Sequence, residues 1–543
     1  MVETNNADKR IKKIIILGGG SSGWMAASYL HKALNGNVDI TLIESNTIGR
    51  IGVGEATVTS IKEILFDFLE IPEAEWMPAC SATFKLGIRY ENWNTSLSKG
   101  GDHYYHFFGE IPLVNGIPLS HIWIKKHLEG FKQPLAYACY PAAELCDHFK
   151  SPKQHNGEKA VHYAYQFDAL KMADYLKDWS IQRGVNYLQD DIKTVELTED
   201  GNIASVTGQS GEQYFADLFV DCSGFEAVLI EKTLKEPFIS FGDSLLTDSA
   251  ISLNLPATPE VEGIRPYTTA TALNNGWMWQ IPLYNRSGNG YVFSSKFTTA
   301  EEAEKEIRSF FGKRADGFDS RLIKFRSGRR KRSWVKNCVS FGLSSGFLEP
   351  LESTGLYFVY AALYQFVQHF PDKDFNPVLR EKYNERVAYM IDDVKDFIIT
   401  HFLTSARTDT PYWLANRHEL HVPDSLKQLL ELQKAGVPIK KSYRGMEMTY
   451  TVFEADYDRF WTNSNFQMVL SGVGYLPKHA TPLLTYRPDI MENGEKMLRD
   501  IKMQTDQLLA TLPSHYQYLK SQKDRHTSSK MSEDKKMIGL AQD

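Results

Sequence analysis

Three stretches of this 543-residue chain have residue types and spacings suited to chemistry. The first is Gly18-Gly19-Gly20-Ser21-Ser22-Gly23, a G-x-G-x-x-G loop. Gly18 permits a tight turn, Gly20 lets backbone approach a pyrophosphate, and Gly23 allows close helix–strand packing. The helix that opens at Ser21 and Ser22 offers unpaired N–H groups and a positive dipole end to phosphate. Glu44, about 20 residues further on, is placed to accept from a ribose 2′-OH. The second stretch, Gly276-Trp277-Met278-Trp279-Gln280-Ile281-Pro282, reads W-x-W-x-I-P. On a strand, two indoles one residue apart share a face, and with Ile281 and Pro282 they make a stiff, bulky wall. A bare pair of tryptophans would suit an ordinary core strand equally well. The third is Glu352-Ser353-Thr354-Gly355 at the start of an apolar helical run. Ser353 and Thr354 read as N-caps, and the dipole favours Glu352 there. The backbone N–H groups near Thr354 and Gly355 would then cradle an anion without a dedicated cation.

The elements around these residues support the first reading. Residues 11–17 are a short apolar run, 24–34 have helical spacing, and 38–43 form a second strand ending at Glu44. This β-α-β context lifts the glycine loop above a chance match. A helical stretch at 170–183 leads to short strands with Asp-Gly and Ser-Gly turns. The run 215–220 then enters Asp221-Cys222-Ser223-Gly224, a strand ending in D-x-x-G that is typical of FAD proteins of the aromatic-hydroxylase type. In the segment 82–90, alternation sets Phe84, Leu86, Ile88 and Tyr90 on one face and Lys85, Gly87 and Arg89 on the other. Residues 338–342 look like a strand entering a loop, 356–370 a buried helix, and 376–407 and 491–512 long helices. The expected fold class is α/β, with a Rossmann-like FAD-binding module over 11–375. Substrate-contacting segments at about 80–165 interrupt it, and a mostly helical subdomain over 376–515 intertwines with it. Residues 1–10 and 519–543 read as disordered tails. There is no second G-x-G-x-x-G, so the chain has no evident place for NAD(P)H.

Composition narrows the class further. Hydrophobic content of 42% and charged content of 24% are those of a soluble globular protein. A net charge of −6 gives no basic footprint for nucleic acid. The run Arg326-Ser327-Gly328-Arg329-Arg330-Lys331-Arg332 is the local exception and reads as a solvated loop or strand end. Five scattered cysteines without a C-x-x-C pair argue for a reducing compartment and against disulfides or a zinc site, so no metal is expected. The N-terminus lacks a signal-peptide core, and the longest apolar stretch is about half of the ~20 residues a membrane span needs. A cytoplasmic protein is expected.

The glycine loop and W-x-W-x-I-P together resemble the signature pair of the flavin-dependent tryptophan halogenases. Further blocks extend the resemblance from residue 11 to about 515, in that family's order. Gly52-Val53-Gly54-Glu55-Ala56-Thr57 resembles the strap that crosses the flavin, and Lys85 matches the family's catalytic lysine. Phe347-Leu348-Glu349-Pro350-Leu351-Glu352-Ser353-Thr354-Gly355 matches the segment bearing the substrate-side glutamate and the halide site. The resemblance implies that reduced FAD, O₂ and chloride or bromide give hypohalous acid. Lys85 would deliver that acid to the indole of tryptophan, with Glu352 assisting. It places Gly18, Gly19, Gly20, Ser21, Ser22, Gly23, Glu44, Gly54, Glu55, Ala56, Leu343 and Leu356 at the FAD, and Thr354 and Gly355 at the halide. The wall of Trp277, Trp279, Ile281 and Pro282 would hold substrate away from the flavin. His106 and Phe108 match ring residues that sandwich the indole, and Phe460, Trp461 and Asn465 match a box that grips the amino-acid part of tryptophan in enzymes acting at C7. Where those enzymes carry paired tyrosines and a glutamate, this chain has Thr449-Tyr450 and Asp456, with Glu454 nearby; this departure leaves open another indole or a peptide-borne tryptophan. The implied partners are tryptophan or an indole, a halide ion and a separate flavin reductase, with a homodimer allowed for. The rival readings are a flavin-dependent aromatic monooxygenase and a non-catalytic flavoprotein scaffold.

Overall fold

The computed structural model describes residues 8–52, 54–440 and 460–540. A six-stranded sheet holds the nucleotide loop. Strand β1 (Lys13–Leu17) lies between β2 (Asp39–Glu44) and the strand Leu218–Asp221, with all three parallel. Four of the five β1 residues are buried, as expected of a parallel strand covered on both faces. Helix α1 (Ser21–Ala33) follows the loop and buries Trp24 to Leu30. Asp221, the aspartate of the D-x-x-G sequence, accepts backbone N–H bonds from Ser223, Leu229 and Ile230 and so fixes the turns after its strand.

A seven-stranded sheet carries the tryptophan wall. Its central strands include β3 (Thr268–Ala272), β4 (Gly276–Pro282) and β5 (Arg286–Phe293), with β4 antiparallel to both neighbours. Trp277, Trp279 and Ile281 face the main core, whereas Met278 on the opposite face joins Tyr291 and Phe293 in a second one. The expected shared face of the two indoles is therefore present. Gly290 on β5 makes room for it, because a Cβ there would lie 2.1 Å from the Trp279 ring. Gly290→Ala is expected to destabilise the chain by about 1–3 kcal/mol through overpacking, read as a lower Tm; an unchanged Tm would mean that the wall is loosely held.

The alternation expected over 82–90 is broken. Thr83–Lys85 pairs with the strand Ala164–Asp168, whereas Gly87–Glu91 joins the seven-stranded sheet. Between them the Leu86 N–H donates to the Pro266 carbonyl. The chain changes sheets at this point, so one period-two pattern cannot run through both strands. The expected helices are present as α2 (Ala169–Ile181), α3 (Gly355–Gln368), α4 (Pro377–Thr404) and, further on, α6 (Pro488–Thr511). Helix α5 (Asn463–Gly472) precedes α6.

Helix α7 (His515–Leu540) takes up residues 519–540 of the segment expected as a disordered C-terminal tail, and residues 541–543 lie outside the described residues. Tyr518 and Leu519 are buried at its start, and Lys523 lies 4.5 Å from the Tyr284 ring centre. A polar sequence without proline suits a solvated helix once its first turns are anchored. Of the N-terminal tail, residues 1–7 lie outside the described residues. The basic run is paired rather than merely solvated: Arg326 and Arg330 meet Glu231, Arg329 meets Asp392, and Arg332 meets Glu236.

Candidate active site

Lys85 joins three of the sequence blocks. It ends its strand fully buried, and its Nζ donates 3.0 Å to the carbonyl of Thr57 and 2.8 Å to Oγ of Ser353. Thr57 closes the G-V-G-E-A-T block and Ser353 lies in the E-S-T-G block. The Phe108 ring centre is 5.3 Å from the amine. Burial lowers the Lys85 pKa to about 7, against the more distant Glu352 charge, which acts to raise it. The amine can therefore exist neutral at ordinary pH. With both N–H groups donated, a neutral amine has its lone pair left to act.

Glu352 is buried and saturated with donors. Tyr90 Oη lies 2.5 Å and His401 Nε2 2.7 Å from Oε1, and His106 Nδ1 lies 3.0 and 2.9 Å from the two oxygens. The tautomer of His106 follows from its neighbours. The Thr462 backbone N–H donates to Asn465 Oδ1, so the Asn465 amide must turn its NH₂ to His106 Nε2 at 3.0 Å. Nε2 thus accepts, and Nδ1–H donates to Glu352. Burial lowers His401 to about 4, so it is neutral, and its Nε2–H also donates. Burial pushes Glu352 up, but the His106, His401 and Tyr90 interactions outweigh it and hold the carboxyl below its ordinary range. Glu352 is thus a fixed negative charge.

The residues expected to cradle an anion, Thr354 and Gly355, lie at the start of α3. Ser353 adopts the left-handed conformation, with φ 59°, which turns its hydroxyl to Lys85. Such a backbone in a non-glycine residue persists only where its surroundings enforce it. Thr354 is the N-cap of α3, and its buried hydroxyl has no hydrogen-bond partner among the described residues. A Cβ at Gly355 would meet nothing within 4 Å among the described residues. An orphaned hydroxyl beside open space at the start of a 14-residue helix fits a small anion.

The nucleotide loop fits FAD on similar grounds. Gly18, with φ 117°, abuts the Cys222 carbonyl, which would lie 2.2 Å from a Cβ there; at Gly23 the Gly18 carbonyl would lie 1.8 Å away, and at Gly20 there is open space. Two glycines are thus demanded by packing and one by access. Gly19 packs on Glu44, whose carboxylate is gripped by Arg50 at 2.7 and 3.0 Å and by the Tyr187 hydroxyl at 2.9 Å. Ser22 packs against Gly342, which also approaches Val359 of α3; Leu343 beside it is half-buried, and Leu356 in the first turn of α3 is buried. In the strap, a Cβ at Gly54 would lie 3.4 Å from Ile281 of the wall, and burial raises Glu55 to about 7. Ala56 is buried and its strand pairs with Ala164–Asp168.

The residues expected at the substrate are brought together in part. His106, Trp461 and Phe397 cluster, with Trp461 stacked on Phe397 at 4.0 Å. Phe460 stacks on Tyr357 of α3 at 4.0 Å. Asn465 caps its own helix and holds His106, so its polar atoms serve the Glu352 network. Tyr450 and Asp456 lie outside the described residues. Sequence reasoning missed Tyr90, His401 and Ser353. A histidine inside the apolar run Phe397-Ile398-Ile399-Thr400-His401-Phe402 was the available signal for one of them.

The chain is similar to known proteins along most of its length. A family model described as tryptophan halogenase matches residues 13–489. The chain is 43% identical over 528 residues to the tryptophan 7-halogenase RebH of Lentzea aerocolonigenes, covering 95% of this chain and 99% of that one. The tryptophan 6-halogenase SttH from Streptomyces toxytricini superposes with a TM-score of 0.86 at 40% identity, over 94% of this chain and 99% of its own. Tar14, a tryptophan C-6 flavin-dependent halogenase from taromycin biosynthesis, superposes with the same TM-score at 38% identity and the same coverage. With a model match over most of its length and this level of identity, the chain belongs to the tryptophan halogenase family.

Proposed function

We propose that this protein is an FAD-dependent halogenase acting on the indole ring of tryptophan. The observation that carries this reading is the meeting of strap, lysine and E-S-T-G segment at the Lys85 amine. When bound, reduced flavin would supply two electrons to O₂, which then oxidises halide to hypohalous acid while its second oxygen leaves as water. The Gly18–Gly23 loop and Glu44 hold the dinucleotide, and Thr354 with Gly355 hold the halide near the start of α3. Lys85, able to be neutral and with its lone pair undonated, captures the acid and presents it to the arene. Glu352, kept ionised by Tyr90, His106 and His401, stabilises the positive charge that develops on the ring. Its lowered pKa makes it a better electrostatic partner than a base. The wall and the strap separate the cofactor from the substrate.

The relatives act at C7 and at C6, so their likeness favours an indole benzo ring over any one carbon; C7 is the position proposed, from the match of Phe460, Trp461 and Asn465. Free tryptophan is the proposed substrate, with a peptide-borne tryptophan as the alternative favoured by Thr449 and Asp456. The test combines purified protein, a flavin reductase, FAD, NADH, halide and a panel of free tryptophan, simple indoles and short tryptophan peptides, read by mass spectrometry and NMR. Products confined to phenols or pyrroles would overturn the substrate class.

The reading also requires reduced flavin from a partner. With a single dinucleotide loop assigned to FAD, the chain is expected to bleach flavin negligibly when mixed anaerobically with FAD and NADH. Fast bleaching without added reductase would refute the two-component assignment.

A further inference from the structure

The wall strand β4 is fastened at its two ends to the two segments that carry Lys85 and Glu352. At one end the Trp277 indole N–H donates 2.6 Å to Oε2 of Glu349, and the Thr247 hydroxyl donates 3.0 Å to Oε1. Glu349 is fully buried and stands three residues before Glu352, joined to it by the Pro350–Glu352 turn. At the other end the Pro282 carbonyl accepts 2.6 Å from the Thr83 hydroxyl, two residues before Lys85. Between these points Trp279 fills the space over Gly290, and Ile281 packs on Gly54 of the strap. A strand advances about 3.4 Å per residue, and a one-residue slip reverses every side chain. Its register therefore sets a fixed distance between whatever its ends hold. Burial raises Glu349 to about 7, with the Trp277 and Thr247 donors opposing it. A carboxyl group kept out of water at that cost needs a reason, and the wall indole is the group it holds.

We propose that Glu349 is a positioning residue, fixing Trp277 and with it the wall strand against the catalytic loop, so that the wall sets the spacing of Lys85 and Glu352 as well as separating the two ligand sites. The proposal rests on the halogenase reading. In its terms a slack wall lets oxidant escape before Lys85 captures it. Loss of Glu349 then lowers the halogenated product formed per reduced flavin oxidised, whereas tryptophan binding is spared.

The test uses the full chain with FAD, an added reductase, halide and tryptophan, and measures halogenated product, hydrogen peroxide, and kcat and KM. Glu349→Gln keeps an acceptor for the indole and a polar partner for Thr247, and is expected to hold product per flavin within about threefold of the native chain. Glu349→Leu leaves the indole N–H buried without a partner and is expected to lower that ratio about tenfold or more, with KM for tryptophan within about twofold. If Glu349→Leu does not fold, Trp277→Phe removes the same hydrogen bond from the other side and is expected to lower the ratio in the same direction. Either variant folding with native product per flavin, or Glu349→Leu raising KM while leaving that ratio intact, overturns the proposal. A native chain that halogenates no indole would sink the halogenase reading instead, and the two failures are separable in one experiment.

Discussion

Replacing Lys85 with alanine is expected to abolish halogenated product while FAD binding and the reoxidation of reduced flavin continue. The residue is not placed to bind the dinucleotide. Its amine contacts the Thr57 carbonyl and the Ser353 hydroxyl, at the inner end of the strap and beside the anion cradle. In the proposed role it acts after the oxidant has formed, so its loss would leave the flavin chemistry running and send the oxidant astray. Lys85→Arg is expected to fail as well, because a guanidinium does not give up its proton and has no lone pair to offer. The native chain should show the complementary signature. With burial holding Lys85 at about 7, its neutral fraction grows as pH rises through that value. Product formation under single-turnover conditions should therefore quicken between about pH 6 and 8. Mass spectrometry of the product, with flavin reoxidation followed by absorbance, measures both parts. More than about a tenth of native product from Lys85→Ala would remove the residue from this role.

Glu352→Gln is expected to lower turnover by roughly two powers of ten, with little change in tryptophan affinity. The exchange removes the negative charge and places an NH₂ among donors. Tyr90, His106 and His401 all point hydrogens at this side chain. A glutamine can accept through one oxygen only, so at least one buried donor loses its partner, at about 1–3 kcal/mol. Steady-state kcat and KM with a supplied reductase give the answer. An unchanged kcat would mean that Glu352 serves only the start of α3.

The parts of this site that were legible in the sequence are those where chemistry fixes residue type over a short span. The glycine loop needs glycine because a Cβ at Gly18 or Gly23 would collide with backbone, and no other residue fits. The indoles at Trp277 and Trp279 needed only strand periodicity. The long helices carried their own apolar spacing. The assembly around Glu352 was hidden because its members lie far apart in the chain, with Tyr90, His106, His401 and Asn465 on four separate elements. None stands in a pattern that names its partner. The single alternating pattern expected over residues 82–90 failed for a different reason. Alternation is a property of one continuous strand, and the hydrogen bond at Leu86 ends one strand and begins another. The C-terminal helix shows a third limit: low hydropathy says that a segment will not build a core, yet a helix anchored by Tyr518 and Leu519 needs none of its own.

The capping box at Thr462 has a consequence that reaches beyond its helix. Its hold on the Asn465 carbonyl is what turns the amide NH₂ toward His106 and leaves Nδ1 of that ring as the donor to Glu352. When the first turn of α5 frays, the amide can flip, and the proton on His106 can change nitrogens. Breathing at a helix end is thereby transmitted through two side chains to the buried Glu352 charge, and amide-exchange rates at Asn465 become a reporter of how often that carboxylate loses a donor.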